Sequence, residues 1–180
     1  FNVVAVSAKS RDKKRDVDLT GTEWITDCRD IADINNIDVV IELVGGSEGV
    51  AKELVEKSIT NGKSVITANK ALVATHGNNI GELVAKHDVM FGYEAAVAGG
   101  IPIIKTIREG LASNRLGKIY GILNGTCNYI LSVMRETGQE FEDILADAQR
   151  LGYAEADPSF DVDGVDAAHK LAILSAIAFQ

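Results

Sequence analysis

DVVIELV at residues 38–44, followed by Gly45-Gly46, is the stretch that decides the fold. A short run of β-branched residues that ends in glycine predicts a strand of a parallel sheet. The same strand texture recurs at residues 1–7, 64–67 and 89–94. Helical periodicity separates these strands, around residues 28–34, 49–61 and 77–87. Strands that alternate with helices of this length indicate an α/β fold with right-handed crossovers.

The alternation of strands and helices gives way to mostly helical segments after Gly99-Gly100. The segments that follow predict helices at residues 104–112, 129–136 and 141–151, a strand at 118–124, and a helix after Gly164. We therefore predict two regions, a nucleotide-binding half at residues 1–95 and a second half at residues 96–180.

Composition excludes several classes of partner. The chain has 180 residues, 46% of them hydrophobic, and a net charge of −8. An acidic chain without a basic stripe is a poor ligand for nucleic acid or for an anionic membrane surface. Its apolar runs are too short to span a bilayer, and no charged-then-apolar leader is visible. Two cysteines cannot build a disulfide framework, so we expect a reducing, cytoplasmic location.

Several residues follow predicted strands, where ligands bind in open α/β sheets. Lys9 and Arg11 follow the first strand, with no acid there to bind the ribose 2′-hydroxyl of NAD. This pattern favours NADP over NAD, although an ordinary basic turn explains it too. Gly46 lets the backbone approach a cofactor closely, and Lys70 points into the same crevice. A tight turn and an exposed loop lysine are the alternative interpretations.

An acidic stretch, GYAEADPSFDVDGVDAAHK at residues 152–170, leads directly into an apolar helix. Asp166 and Lys170 are four residues apart, so they share one helix face. A lysine with a carboxylate one turn earlier suits proton transfer. The alternative is a salt bridge at the start of a helix, preceded by a solvated acidic loop.

Three motifs occur in order: EAAVAGGIPII at residues 94–104, GILNGTCNYIL at residues 121–131, and the acidic stretch. Together they resemble homoserine dehydrogenase, and the resemblance covers essentially all 180 residues. It implies an oxidoreductase that interconverts L-homoserine and L-aspartate 4-semialdehyde with a nicotinamide cofactor, in threonine, methionine and isoleucine biosynthesis. The implied fold is a partial Rossmann-like parallel sheet followed by part of an α+β catalytic and dimerisation domain.

The resemblance also implies roles for individual residues. Lys170 would be the acid–base catalyst and Asp166 would orient it, while Glu155 and Asp161 would bind the substrate ammonium. Lys70 would lie near the cofactor and the substrate. A monovalent cation, which we expect to be sodium, would be bound by the Glu94 carboxylate and by the backbone carbonyls of Val97, Gly99 and Ile101. The implied partner is a small-molecule substrate, and the implied assembly is a homodimer.

Cys127 allows a rival function. A cysteine in a turn before a helix can be a nucleophile, which would suit an acylating semialdehyde dehydrogenase with His169 or His76 as the base. The residues around Cys127 match the homoserine dehydrogenase motif instead, so we expect a packing role. The histidines lack metal-ligand spacing, and we predict no zinc site.

The two ends of the sequence favour a piece of a longer enzyme. A glycine-rich turn normally follows the first strand of a dinucleotide fold, and none precedes Phe1. Further strands of the catalytic half are expected after Gln180. We therefore expect little turnover from these 180 residues alone, and a fragment that only folds or dimerises is the alternative.

Overall fold

The computed structural model describes residues 1–179. They form two compact units, and the division falls between Pro102 and Ile103. The strands of the first unit are β1 (Ala5–Val6), β2 (Glu23–Trp24), β3 (Val39–Glu42), β4 (Ser64–Thr67) and β5 (Phe91–Gly92). Its helices are α1 (Val50–Thr60) and α2 (Lys70–His87), with short 3₁₀ helices at Cys28–Asp33 and Glu94–Ala96.

The strands of the first unit pair in parallel. Strands β3, β4 and β5 lie side by side in that order, with Val39 opposite Ser64 and Ile66 opposite Gly92. Strands β1 and β2 form a second parallel pair, with Ala5 opposite Glu23. The α/β fold with a parallel, Rossmann-like sheet is therefore confirmed. The sequence prediction made β1 too long and missed β2, whose two residues are too few for a recognisable pattern.

Strand β3 buries one face and exposes the other among the described residues. Val40 and Glu42 are buried, whereas Val39 and Ile41 are exposed. Val40 packs with helices α1 and α2 in a core that also contains Leu54, Ile59, Val65, Leu72 and Ile80. Because alternate side chains point to opposite faces of a strand, Glu42 enters the core side of the sheet next to the carboxyl end of β3.

Helix α2 begins at Lys70, seven residues earlier than the periodicity predicts. The Asn69 side chain accepts a hydrogen bond from the backbone N–H of Leu72, at 3.1 Å. This is an N-cap, which satisfies a donor that the first helical turn leaves unpaired. The helix therefore starts directly at the end of β4, beside the residues that follow β3.

The second unit is helical in its described part. It contains α3 (Ile103–Lys105), which continues into a π-helical turn at Thr106–Gly110, then α4 (Gly125–Thr137), α5 (Phe141–Arg150), α6 (Ser159–Val162) and α7 (Val165–Ala178). Its core is formed by Ile130, Ile144, Ala148 and Ala154.

The predicted strand at residues 118–124 is wrong for this structure. These residues are irregular, and none of residues 1–179 pairs with them in a ladder. Tyr120 and Ile122 are exposed. A strand-like residue pattern reflects only the side chains. A strand also requires a neighbouring strand that accepts and donates its backbone hydrogen bonds.

Lys63 stabilises the first unit through two backbone carbonyls. Its Nζ donates to Ile34 O at 2.6 Å and to Ile37 O at 3.0 Å, and the residue is buried. We expect Lys63→Met to lower the free energy of unfolding by about 1–3 kcal/mol, because both acceptors would lose their donor. Lys57→Met is the matched control, since the Lys57–Asp33 pair is exposed and should contribute at most about 1 kcal/mol. Denaturant unfolding of both variants tests this, and equal losses would contradict it.

None of the helices in residues 1–179 combines the length and the apolar character that crossing a membrane requires.

Candidate active site

Lys170 and Asp166 lie one turn apart on helix α7. Gly164 precedes the helix with a φ of 79°, a left-handed conformation that suits glycine. Lys170 Nζ donates to Asp166 Oδ2 at 2.7 Å and to Leu123 O at 2.8 Å. Asp166 is 3% exposed, so the pair is largely shielded from water. Two of the three ammonium donors of Lys170 are therefore used, which leaves the third for a ligand atom.

Asn124 joins this pair to a second carboxylate. Its Oδ1 accepts from the backbone N–H of Cys127 at 2.8 Å and thereby caps helix α4. Because that bond needs the amide oxygen, the amide nitrogen must face the other way. Asn124 Nδ2 donates to Asp161 Oδ1 at 2.7 Å and to Asp166 Oδ2 at 2.9 Å. One neutral amide thus holds two carboxylates close together.

Thr126 completes the cluster. Its hydroxyl lies 2.9 Å from Asp161 Oδ2 and 2.9 Å from the carbonyl oxygen of Tyr153. A hydroxyl carries one hydrogen and can donate to only one of these acceptors at a time. A ligand cation that approached Asp161 could therefore compete for Oδ2 while Thr126 turned to Tyr153 O.

These side chains line an open cleft of about 670 Å³ in the second unit. This volume lies within the usual range for small-molecule sites. The other lining residues are Gly125, Asn128, Tyr129, Ser132, Gly152 and Tyr153. The cleft therefore combines one ammonium and two carboxylates with tyrosine walls, which suits a small zwitterionic or polar ligand.

The sequence-predicted residues of this region are not all in the cleft. Lys170, Asp166 and Asp161 come together there. Glu155 is exposed and is not among the lining residues; its backbone carbonyl accepts a hydrogen bond from Gln149 Nε2 at 3.0 Å. Its role in ammonium binding stays a prediction. Asn124 was missed as a site residue, because the sequence prediction made it the last residue of a strand and began the next helix at residue 129, whereas helix α4 begins at Gly125 with Asn124 as its N-cap.

Cys127 lies beside the cluster in an environment that disfavours a thiolate. Burial raises the pKa of its thiol above the ordinary value, and the negative charges of Asp161 and Asp166 raise it further. Its Sγ donates to the carbonyl oxygen of Asp161 at 3.2 Å. An activated nucleophile needs the opposite, a lowered pKa or an adjacent base.

We expect Cys127 to react slowly with iodoacetamide, at a rate per thiol below that of glutathione between pH 7 and 8. A raised pKa keeps the thiol protonated to higher pH, so the reactive thiolate is scarcer in this range. Peptide mapping by mass spectrometry separates Cys127 from Cys28, and Cys127→Ser supplies the blank. Alkylation faster than that of glutathione would restore the nucleophile hypothesis.

The first unit brings together residues from the ends of two neighbouring strands. Gly45 and Gly46, just past β3, both have φ of 85° and are exposed. Gly46 O accepts from Asn69 Nδ2 at 2.7 Å, which holds this turn against the start of α2 at Lys70. Bare backbone at the carboxyl end of a parallel sheet fits a dinucleotide, because no Cβ blocks its approach.

Lys9 and Arg11 lie in the exposed loop between β1 and β2. The same loop is ordered by Arg15, whose guanidinium donates to Ser10 O at 2.6 Å and stacks over the Trp24 ring at 5.2 Å. The side chains of Lys9 and Arg11 are available to solvent or to an anionic group. Their role in favouring NADP stays a prediction.

The segment of the predicted cation site makes a tight turn. Glu94 opens the 3₁₀ helix Glu94–Ala96, and Val97 is buried. Ala98 and Gly100 have positive φ, and Ile101 N donates to Ala98 O at 2.8 Å. Among residues 1–179, no group of three His, Cys, Asp or Glu side chains is placed to hold a metal ion. The predicted cation site would instead use one carboxylate and several backbone carbonyls, so it stays a prediction.

Two histidines have local roles within their own units. His76 Nε2 lies 2.6 Å from Glu48 Oε1, and this contact lowers the pKa of the Glu48 carboxyl. His169 packs edge-on against the Phe160 ring, and its Nδ1 has no hydrogen-bond partner among the described residues. Neither histidine contacts Cys127 through a hydrogen bond in the described part of the chain.

Two family profiles match the chain. Residues 1–94 match the profile described as "Homoserine dehydrogenase, NAD binding domain", and residues 102–180 match "Homoserine dehydrogenase". The homoserine dehydrogenase of Pseudomonas aeruginosa is 57% identical over 99% of this chain, and that of Neisseria gonorrhoeae is 52% identical over 99%. The chain spans 41% of the length of each of these relatives.

Solved structures give the same result. The homoserine dehydrogenase of Thiobacillus denitrificans superposes on 97% of this chain with a TM-score of 0.88 and 53% identity, and the matched part is 40% of that protein. A hyperthermophilic archaeal homoserine dehydrogenase, solved in complex with NADPH, matches 87% of this chain with a TM-score of 0.79 and 27% identity. The matched part is 48% of that protein. The chain belongs to the homoserine dehydrogenase family.

Proposed function

We propose that the protein containing this chain interconverts L-homoserine and L-aspartate 4-semialdehyde with a nicotinamide cofactor. The observation that carries the proposal is the cluster of Lys170, Asp166 and Asp161 in one cleft. It combines a shielded lysine–carboxylate pair with a second carboxylate, on a chain of the homoserine dehydrogenase family. Family membership alone supports the reaction class, and this cluster supplies the groups that the reaction requires.

Aldehyde reduction requires a proton at the oxygen. The hydride for the carbonyl carbon would come from a nicotinamide cofactor when one is bound. Lys170 then donates a proton to the oxygen as it becomes an alcohol, and takes that proton back in the oxidation of homoserine. Asp166 and Leu123 O hold Nζ from two sides, at 2.7 and 2.8 Å, so the remaining N–H has a defined direction.

Substrate orientation is assigned to Asp161. Both substrates carry an α-ammonium, and the Asp161 carboxylate is fixed in direction by the Asn124 amide, which donates to its Oδ1 at 2.7 Å. A fixed carboxylate loses less side-chain entropy when it binds a cation. Glu155 is proposed as a second contributor, from the exposed loop that precedes α6.

The cofactor is assigned to the first unit. Gly46 and Lys70 would face it at the carboxyl ends of β3 and β4, and the exposed cations Lys9 and Arg11 favour NADP over NAD.

A sodium ion would be bound by the Glu94 carboxylate and by the carbonyls of Val97, Gly99 and Ile101. We also propose a homodimer. Size-exclusion chromatography with light scattering tests the dimer, and removal of sodium by dialysis against a lithium or choline salt tests the ion.

The test of the function is a turnover assay with the full-length protein. Homoserine oxidation with NADP, and separately with NAD, should produce absorbance at 340 nm that depends on homoserine. The cofactor preference follows from the ratio of kcat/KM values. Absence of turnover with both cofactors, from a folded protein that binds one of them, would overturn the assignment.

A further inference from the structure

Glu42 is a fully buried carboxylate at the end of strand β3. It is 0% exposed and shares the core face of the strand with Val40. A buried carboxylate is strongly unfavourable unless hydrogen bonds replace the water it loses. A carboxylate at a position where the strand pattern calls for a hydrophobic residue therefore indicates a specific role.

The hydrogen bonds of Glu42 all reach towards the ends of two strands. Its Oε1 accepts from the backbone N–H groups of Val44 and Gly45, at 2.6 and 3.0 Å. Its Oε2 accepts from the hydroxyl of Thr67 at 2.5 Å. In this last bond the hydroxyl is the donor, because a carboxylate can only accept. Thr67 Oγ1 in turn accepts from the backbone N–H of Asn69 at 2.9 Å. Three donors converge on one carboxylate.

Asn69 extends this network to the next turn. Its Nδ2 donates to Gly46 O at 2.7 Å, while its Oδ1 caps helix α2. The loop after β3 is thus tied at Val44, Gly45 and Gly46 to the end of β4. Two exposed glycines with positive φ would otherwise leave this loop with high conformational freedom.

We propose that Glu42 and Thr67 are positioning residues that hold the 44–46 turn in the conformation that binds the nicotinamide cofactor. The inference rests on the proposed function for the identity of the cofactor. Thr67 is 0% exposed, and Glu42 is equally buried, so neither side chain touches a ligand; both act through the backbone. Preorganising the turn lowers the ordering entropy that the cofactor would otherwise have to overcome.

The experiment compares Thr67→Val with Thr67→Ser in the full-length protein. Valine has the shape of threonine without the hydroxyl, whereas serine keeps the hydroxyl. Isothermal titration calorimetry of the enzyme without substrate measures the dissociation constant of NADPH and of NADH. We expect at least tenfold weaker binding of the preferred cofactor for Thr67→Val and less than a threefold change for Thr67→Ser. Hydrogen exchange at the Gly45 amide should accelerate only in the valine variant.

Asn69→Ser gives an independent test if the valine variant folds poorly. Serine caps a helix about as well as asparagine, but it lacks the amide donor to Gly46 O. It should weaken cofactor binding by a similar factor with little change in the thermal midpoint. If Thr67→Val and Asn69→Ser bind cofactor within twofold of the parent, the network is only structural and the inference is overturned.

Failure of the proposed function gives a different result. A parent that binds cofactor without homoserine turnover would overturn the function, while the binding comparison would still decide the role of Glu42 and Thr67. A folded parent that binds neither NADPH nor NADH would overturn the inference as well.

Discussion

Replacement of Lys170 by alanine in the full-length protein should lower kcat for homoserine oxidation by about 100- to 10,000-fold, the usual contribution of a general acid–base group. The lysine is the ammonium of the cleft, and Asp166 and Leu123 O fix its direction. Cofactor affinity, measured by calorimetry, should change by less than threefold. Lys118→Ala is the matched control, because Lys118 is exposed, contacts the Tyr120 ring and does not line the cleft.

Lys170→Arg separates proton transfer from simple charge stabilisation. Arginine keeps a cation near Asp166 but does not lose its proton at neutral pH. If Lys170 exchanges a proton with the substrate oxygen, the arginine variant should be nearly as slow as the alanine variant. Recovery of more than a tenth of parent kcat by Lys170→Arg would show that charge alone is sufficient, and the acid–base assignment would be wrong.

Asp161→Asn should raise the KM for homoserine by about tenfold or more. Hydrogen bonds to charged groups contribute roughly 1.5–3 kcal/mol, and 1.4 kcal/mol corresponds to a factor of ten. The asparagine keeps the size of the side chain and removes the negative charge that faces the cleft. Asp157→Asn is the control from the same loop, because the exposed Asp157 carboxylate accepts from Ser159 N at 3.1 Å and does not line the cleft.

The decisive measurement is the preference for homoserine over 4-hydroxybutyrate, which lacks the α-amino group. The ratio of the two kcat/KM values should fall at least tenfold in Asp161→Asn and stay within twofold of the parent in Asp157→Asn. A ratio is insensitive to partial misfolding, since both substrates meet the same active fraction. An unchanged ratio in Asp161→Asn, together with a lowered one in Glu155→Gln, would transfer the ammonium site to Glu155.

Local spacing is what the sequence alone could determine. The 3.6-residue repeat of a helix places Asp166 and Lys170 on one face wherever α7 lies. In the same way, β-branched runs between helical periods predict the parallel pairing of β3, β4 and β5, which the structure confirms. The resemblance to homoserine dehydrogenase rested on contiguous motifs, and the family comparisons confirm it.

Contacts between distant segments were decided only by the tertiary structure. Asn124 meets Asp161 across 37 residues and Asp166 across 42, and no periodicity encodes such a contact. Glu42 is one polar residue in an apolar strand of the sequence, and its hydrogen bond with Thr67 joins residues 25 positions apart. The strand predicted at 118–124 failed for the same reason, because strand texture is local whereas pairing is not. Helical spacing follows from backbone geometry, but the convergence of strand ends and caps follows from packing of the whole unit.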